Sequence, residues 1–409
     1  MSGRISRASV LLLNVAHALD HMFLLVFATA VGAIAADFGI ARWEDLMPYG
    51  VGAFFLFGFG SLLAGRLGDH WGRRPMMLVF FFGMGASMLL VSATQGPWQL
   101  AAALTVMGAF SSIYHPVGIP MLVRGASRPG LTIGINGLSG NLGVALAAVT
   151  TGFLVKYAGW RAAFIVPAFI AIACGILFAR VAAVEEVAPA KRSATQADLP
   201  ARLLARIFTV LTIASVTASL LFNFTTNGNG QLLRERFVGI VTDPAMLGIL
   251  LALVYVAGSL AQIVVGSLID RVPLKYLYFG IVMFQVPLFA LAAYAQGWAL
   301  YALMVLFMIV VFGAIPFTDA MIVRYVDDRM RSRVSGMRLT VAFGVSSLAV
   351  WLLGPVVKAA GFSSLLLAMA GIAAVTLLAL TLLPNMRQHS PRVVDVTMEG
   401  RPRSTRAAD

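Results

Sequence analysis

The chain has 409 residues, of which 60% are hydrophobic and 11% charged, with a formal net charge of +13. A soluble chain carries about 25% charged residues, so this composition, with a mean hydropathy of +0.89, excludes an ordinary soluble enzyme or binding domain. The basic residues are scattered over connectors instead of gathered on one face, which argues against a nucleic-acid partner.

A hydrocarbon core of about 30 Å takes roughly 20 apolar residues as helix. Only helices satisfy their backbone groups within the segment, and the dyad alternation of barrel strands is missing here. Twelve spans are predicted, over 9–34, 46–67, 76–94, 98–122, 131–155, 161–183, 205–227, 246–269, 274–295, 298–323, 335–357 and 362–384. Of the 30 Lys and Arg, only Arg42, Lys156, Arg161, Arg234, Arg236 and Lys358 fall on one side of the alternation. The positive-inside bias then puts both termini in the cytoplasm. Trp43, Trp98, Trp160, Trp298 and Trp351 stand at predicted outer span ends, as expected of a headgroup belt.

The first span holds the densest polar set. Arg4 and Arg7 precede it, and Ala33-Ile34-Ala35 mimics a cleavage site. The run is too long for a signal core and His17, Asp20 and His21 interrupt it, so a retained helix is expected. Asn14, His17 and His21 share one stripe, and Asp20 adjoins it near the span's midpoint. An ionisable group at that depth is a functional candidate. Low-dielectric burial favours the neutral acid, so Asp20 is expected to load a proton on one side and release it on the other, with His17, His21 or His115 sharing it. A purely structural carboxylate–histidine pair is the alternative. His17, Asp20, His21 and His115 also make an N/O set suited to a divalent first-row metal such as iron.

Between spans 2 and 3 stands Gly65-Arg66-Leu67-Gly68-Asp69-His70-Trp71-Gly72-Arg73-Arg74-Pro75. Its glycines allow a tight turn, and Arg73 and Arg74 are expected to pin it to the inner surface. In span 4, His115 precedes Pro116, a helix-bending residue; it lines a cavity or bonds a neighbouring helix. Span 5 carries Gly134, Asn136, Gly137, Ser139, Gly140, Asn141 and Gly143, expected mainly as a close-packing seam. Cys174 is the single cysteine, so no disulfide within the chain and no thiolate metal site are available. The segment 184–204 is a polar linker dividing six spans from six: an N-terminal half over 1–183 and a C-terminal half over 205–385.

Span 7 ends in Asn223, Thr225, Thr226, Asn227 and Asn229 with Gly228 and Gly230, which predicts a bent outer end and makes Asn223 a cavity candidate. Asp319 in span 10, five residues before Arg324, either holds an inner gate or meets substrate. The tail 386–409 is basic and expected to be disordered near anionic lipid. The halves look related: Met121-Leu122-Val123-Arg124 recurs as Met321-Ile322-Val323-Arg324, Pro116 as Pro316, Gln95-Gly96 as Gln296-Gly297, and Gly65-x-Leu67-x-Asp69 as Gly266-x-Leu268-x-Asp270.

The 65–75 loop, its degenerate second copy at Gly266–Arg271 and the twelve spans resemble the major facilitator superfamily. That resemblance implies an all-α membrane protein with two pseudo-symmetric six-helix halves, a midplane site between them, and spans 1, 4, 7 and 10 around it. Gly65, Asp69, Gly72, Arg73 and Arg74 would form its conformational-switch loop. Ala16-His17, Ser111-Ser112-Ile113-Tyr114-His115-Pro116, Gly130-Leu131 and Gly140-Asn141-Leu142-Gly143 resemble the fosmidomycin-resistance branch of efflux proteins. That branch has Asn-Asp where this chain has Asp20-His21, with the carboxylate about 100° further round the helix.

The expected function is therefore secondary transport across a bacterial inner membrane, with proton-coupled export of a small organic compound ahead of metal transport. A sensor of transporter ancestry is a third class. No GxxxxGK[ST] loop occurs, so direct ATP use is not expected. No cofactor, no enzymatic nucleophile–base set and a monomeric state complete the expectation.

Overall fold

In the computed structural model, residues 5–124, 126, 129–183, 201–269, 271–325 and 328–383 are described. The linker residues 184–200 and the tail 384–409 lie outside them. The described residues form helices throughout, with α1 at Arg7–Asp37, α2 at Val51–Trp71, α3 at Arg73–Ser92, α5 at Pro129–Ala158 and α6 at Ala162–Val181. In the second half come α7 at Ala201–Arg236, α8 at Pro244–Ile269, α9 at Leu274–Ala292 and α10 at Gly297–Tyr325. The continuous stretch Asp328–Thr381 turns at Gly361, whose φ of 75° takes a left-handed conformation that glycine adopts without strain. It therefore counts as two spans, α11 over 328–360 and α12 over 362–381, and the twelve predicted spans are all present.

α4 is the interrupted helix. It runs Pro97–Ser111, widens into a π-turn at Tyr114–Gly118, and resumes over Ile119–Val123. Pro116 supplies the cause: it has no amide hydrogen and its ring crowds the carbonyl one turn earlier. Such bulges re-aim side chains, and His115 sits inside this one.

α7 corrects an expectation. It does not unwind after 227 but continues as helix to Arg236. Its polar residues bond back to the helix instead of unwinding it. Thr226 donates to the Phe222 carbonyl (2.7 Å), Asn227 to the Asn223 carbonyl (3.0 Å), and the Tyr255 hydroxyl to the Thr226 carbonyl (3.2 Å). Gly228 gives room to Leu353, so its role is close packing.

Burial ranks the helices. In α1, 61% of the most apolar window is buried, against 28% in α9. α1 is thus wrapped by protein, while α9 turns Met283, Phe284 and Leu291 outward, as lipid requires. The two halves meet along two seams, α5 on α8 and α2 on α11. Both depend on missing side chains: a Cβ on Gly248 would stand 2.6 Å from the Ala148 carbonyl oxygen, and one on Gly58 2.8 Å from the Gly344 nitrogen.

The connectors 38–50, 159–161, 237–243 and 293–296 share one end of the bundle, the end that the charge bias reads as outer. There Lys156 at the end of α5 pairs with Asp243 before α8, and Lys358 at the end of α11 pairs with Asp45 before α2. These ion pairs cross between the halves at pseudo-symmetric positions. Trp43 stacks on Phe362 beside the second (6.1 Å between centroids). Trp98, Trp298 and Trp351 are exposed as a headgroup belt requires, but Trp160 is not: it is buried, with Phe38 against its edge and the Arg161 guanidinium 4.3 Å from its ring.

Candidate functional site

Three helices of the first half bring together residues of α1 with partners 90 or more positions later in the chain. From α1 come Asn14, His17, Asp20 and His21, from α4 Ser111, Tyr114 and His115, and from α5 Asn136. Helix periodicity puts the α1 residues on the side facing α4 and α5. Close approach of α5 completes the set: a Cβ on Gly143 would stand 2.1 Å from the Ala18 carbonyl oxygen, and one on Gly140 2.7 Å from the His17 ring.

Asp20 is fully buried. One carboxyl oxygen, Oδ1, accepts the Ser111 hydroxyl. The other, Oδ2, makes no hydrogen bond and lies 3.7 Å from His115 Nε2, which makes none either. A buried polar atom without a partner costs about 1–3 kcal/mol.

The histidines form a second chain. His17 Nδ1 is 2.7 Å from the Asn136 carbonyl oxygen, and His17 Nε2 is 3.1 Å from His21 Nε2. A carbonyl can only accept, so Nδ1 carries the hydrogen; in neutral His17, Nε2 then accepts from His21 Nε2–H. The Asn136 amide donates to Tyr114 Oη (2.7 Å) and Asn14 Oδ1 (3.0 Å), while the Tyr114 hydroxyl donates to the Leu13 carbonyl (2.8 Å). Tyr114 also stacks on the His17 ring at 4.7 Å.

This pairing bears on the metal alternative. Ring nitrogens of His17, His21 and His115 lie within 4.8 Å of one another. As folded, however, the His17 Nε2 lone pair is taken by His21 and its Nδ1 by the Asn136 carbonyl. The Nδ1–H bond to a carbonyl is compatible with a ligating Nε2, so what stands against an ion in this conformation is the His17–His21 contact alone.

The set reaches the boundary between the halves through His115. Its ring stands edge-on to Phe57 of α2 (5.7 Å) and to Phe343 of α11 (5.3 Å), and those two phenyl rings meet at 4.3 Å. Asp20 therefore faces α4 inside its own half, one side chain short of the seam; it does not line an open cavity in this conformation.

Other predicted site residues are placed elsewhere. Asn223 is buried in the second half, donating to Ser346 Oγ (2.8 Å) and to the Ser219 carbonyl (2.9 Å), and is not joined to the Asp20 set. The Asp319 side chain lies outside the described residues. In the 65–75 loop, Gly72 turns the chain with a φ of 92°, Gly65 packs near Pro116, and Asp69 is exposed. Arg73 donates to the Pro120 carbonyl (3.2 Å), and Arg74 to those of Ala179 (2.6 Å) and Ala182 (2.8 Å). The arginines thus grip the ends of α4 and α6; Arg74 satisfies carbonyls that a helix end leaves open. In the sequence Asn136 reads as part of a packing seam, and Ser111 and Tyr114 carry only the family resemblance. Their signal was a helix rich in Asn opposite a helix rich in His.

Solved structures share this architecture. A nucleoside transporter, NupG, superposes with a TM-score of 0.71 over 92% of this chain and 99% of that one, at 16% identity. A bacterial homologue of the lysosomal transporter Spinster, inward-facing and occupied, gives 0.68 over 91% and 93%, at 13% identity. Among curated relatives, a probable actinorhodin transporter of Streptomyces coelicolor is 31% identical over 152 residues, covering 34% of this chain and 25% of that protein. The multidrug resistance protein MdtG of Escherichia coli is 26% identical over 254 residues, 59% of this chain and 60% of MdtG. The chain thus spans from a quarter to three-fifths of the length of these two relatives. The model of the Major Facilitator Superfamily matches residues 11–240 and 237–407, and the chain belongs to that superfamily.

Proposed function

We propose that this protein is a secondary active transporter of a bacterial inner membrane that exports a small organic compound in exchange for protons, with both termini in the cytoplasm. The observation that carries the proposal is the enclosed Asp20–Ser111–His115 set beside the α2–α11 seam. A carboxyl oxygen and an imidazole nitrogen, both without hydrogen bonds, face each other 3.7 Å apart, and the imidazole ring meets Phe343 of the other half. Rocking of the halves moves Phe343 relative to His115, and that motion opens or closes the access of water to Asp20. A proton on Asp20 then favours the arrangement in which the carboxyl is dry, and its loss favours the one in which it is wet.

The outer ion pairs, Lys156–Asp243 and Lys358–Asp45, would hold the outer end shut in the arrangement described. The Gly65–Arg74 loop, with its grip on α4 and α6, would make the first half move as one body. Export of an organic solute is favoured by the names of the relatives, an antibiotic transporter and a multidrug resistance protein, and by the resemblance to the fosmidomycin-resistance branch.

Transport in proteoliposomes against a panel of solutes, fosmidomycin included, tests this reading with and without a pH gradient. Wild type is expected to move at least one solute faster with the gradient, and Asp20→Asn to lose the gradient dependence. An Asp20→Asn variant that is fully active and still driven by pH would remove Asp20 from the mechanism.

A further inference from the structure

At the outer end of the bundle six cations meet five acids. Among the described residues, Arg42 pairs with Glu44 (2.6 Å), Arg161 with Asp37 (2.9 Å), Arg236 with Glu235 (3.3 Å), Lys156 with Asp243 and Lys358 with Asp45. These pairs use every Asp and Glu at that end. Arg234, two residues before the end of α7, is the sixth cation and has no carboxylate among the described residues.

Arg234 lines a small cleft where α1, α5, α7 and α8 converge. Thr151 of α5 lines the same cleft; it is 1% exposed and its hydroxyl has no hydrogen-bond partner. The other hydroxyl in the wall, that of Thr29, already donates to the Leu25 carbonyl (2.9 Å). The remaining walls are apolar, with Leu247 and Leu251 among them. The cleft thus offers one guanidinium without an acid and one spare hydroxyl, and no acidic side chain is among its lining residues.

We propose that this cleft is an anion site that takes one compact oxyanion, a carboxylate or a phosphate group, bound by the guanidinium of Arg234 and the hydroxyl of Thr151. The planar guanidinium matches two oxygens of such a group. A charge-assisted bond from Thr151 satisfies an atom that otherwise stays buried and unpaired. Because α1 and α5 belong to one half and α7 and α8 to the other, the bound anion bridges the halves and favours the closed outer end. A phospholipid headgroup and a dissolved anion share this chemistry. The inference does not rest on proton coupling at Asp20.

The test measures thermal unfolding of the full chain in nanodiscs. One arm titrates inorganic phosphate, at constant ionic strength, into discs of phosphatidylcholine alone. A second arm compares those discs with discs containing phosphatidylglycerol, without phosphate. A raised midpoint in the first arm identifies a dissolved anion as the source, and one in the second arm alone identifies a headgroup. In either case Arg234→Gln is expected to abolish the response, and Thr151→Val, which replaces the hydroxyl by a methyl group, to weaken apparent affinity roughly tenfold. Thr151→Val carries the test if Arg234→Gln does not fold. No response in either arm, or variants that respond like wild type, would overturn the proposal.

Discussion

His115 Nε2 and Asp20 Oδ2 lie 3.7 Å apart, and neither makes a hydrogen bond. One residue comes from the middle of α1 and the other from the π-turn of α4, 95 positions later in the chain. An α-helical continuation of α4 past Ser111 would aim His115 elsewhere, so Pro116 matters to the site although it touches no proton. Replacing it tests this dependence. Pro116→Ala is expected to let α4 close into regular helix, keep the fold, and reduce gradient-driven transport several-fold; transport equal to wild type would detach the π-turn from function.

Asn136 joins three helices through two donated bonds, to Tyr114 and Asn14, and is 1% exposed. Asn136→Ala takes a donor from two acceptors, of which Tyr114 Oη is fully buried, at an expected cost of about 1–3 kcal/mol. Tyr114→Phe removes one member of the same network. The double variant is expected to lose less than the sum of the singles, because both act on one bond. Unfolding midpoints of the four proteins check this.

The α1–α5 contact tolerates no side chain at Gly143, where the obstacle is backbone, the Ala18 carbonyl oxygen. Gly143→Leu is expected to destabilise by about 1–3 kcal/mol or to block insertion of a folded chain. Size-exclusion homogeneity and expression level report it. Gly134, with nothing within 4 Å of an added Cβ, serves as the control, and Gly134→Ala is expected to behave as wild type.

The outer ion pairs predict a pH window. The bonds from Lys156 and from the Met246 amide hold the Asp243 carboxyl below the usual carboxylate range. A depressed carboxylate stabilises the folded arrangement above its ordinary pKa, about 3.9, and loses that contribution as pH falls through the depressed value. The inter-half pair is therefore expected to be unaffected between about pH 5 and 8 and to weaken only in stronger acid. Lys156→Gln or Lys358→Gln removes a pair at any pH. Each is expected to raise solvent accessibility at the outer end, measured by labelling a cysteine placed at Trp43 or Phe362. Lys156→Asp combined with Asp243→Lys is expected to restore protection.

Arg74 makes its bonds to the last carbonyls of α6, so Arg74→Gln is expected to loosen the inner end of the first half. The readout is faster hydrogen exchange over 178–182 with little change at α1. Arg74→Lys is expected to recover only part of the protection, because a point charge cannot reach both carbonyls as a fork does.

Much of this molecule was legible from its sequence because lipid imposes a simple rule. Every backbone group must be satisfied within a span, so the lengths of the apolar runs set the number of helices. The kink at Gly361 falls within the predicted break between 357 and 362. Where prediction failed, a polar residue had two ways to be satisfied. The Asn and Thr cluster of α7 reads as a helix end by composition, yet each Thr hydroxyl bonds one turn back and the helix runs on. In the same way Asn136 reads as one more small residue of a packing stripe until Tyr114 and Asn14 appear opposite it.

By itself, then, the order of residues determined the lipid environment, the twelve crossings, the duplicated halves and the candidacy of Asp20, because each depends on local composition and helical periodicity. The tertiary structure alone decided that Asp20 is held by Ser111, that His17 is occupied by Asn136 and His21, that Asn223 stands apart, and that Arg234 is left without an acid. Those outcomes depend on which helix faces which, through Å-scale contacts between segments far apart in the chain, and no local pattern carries that information.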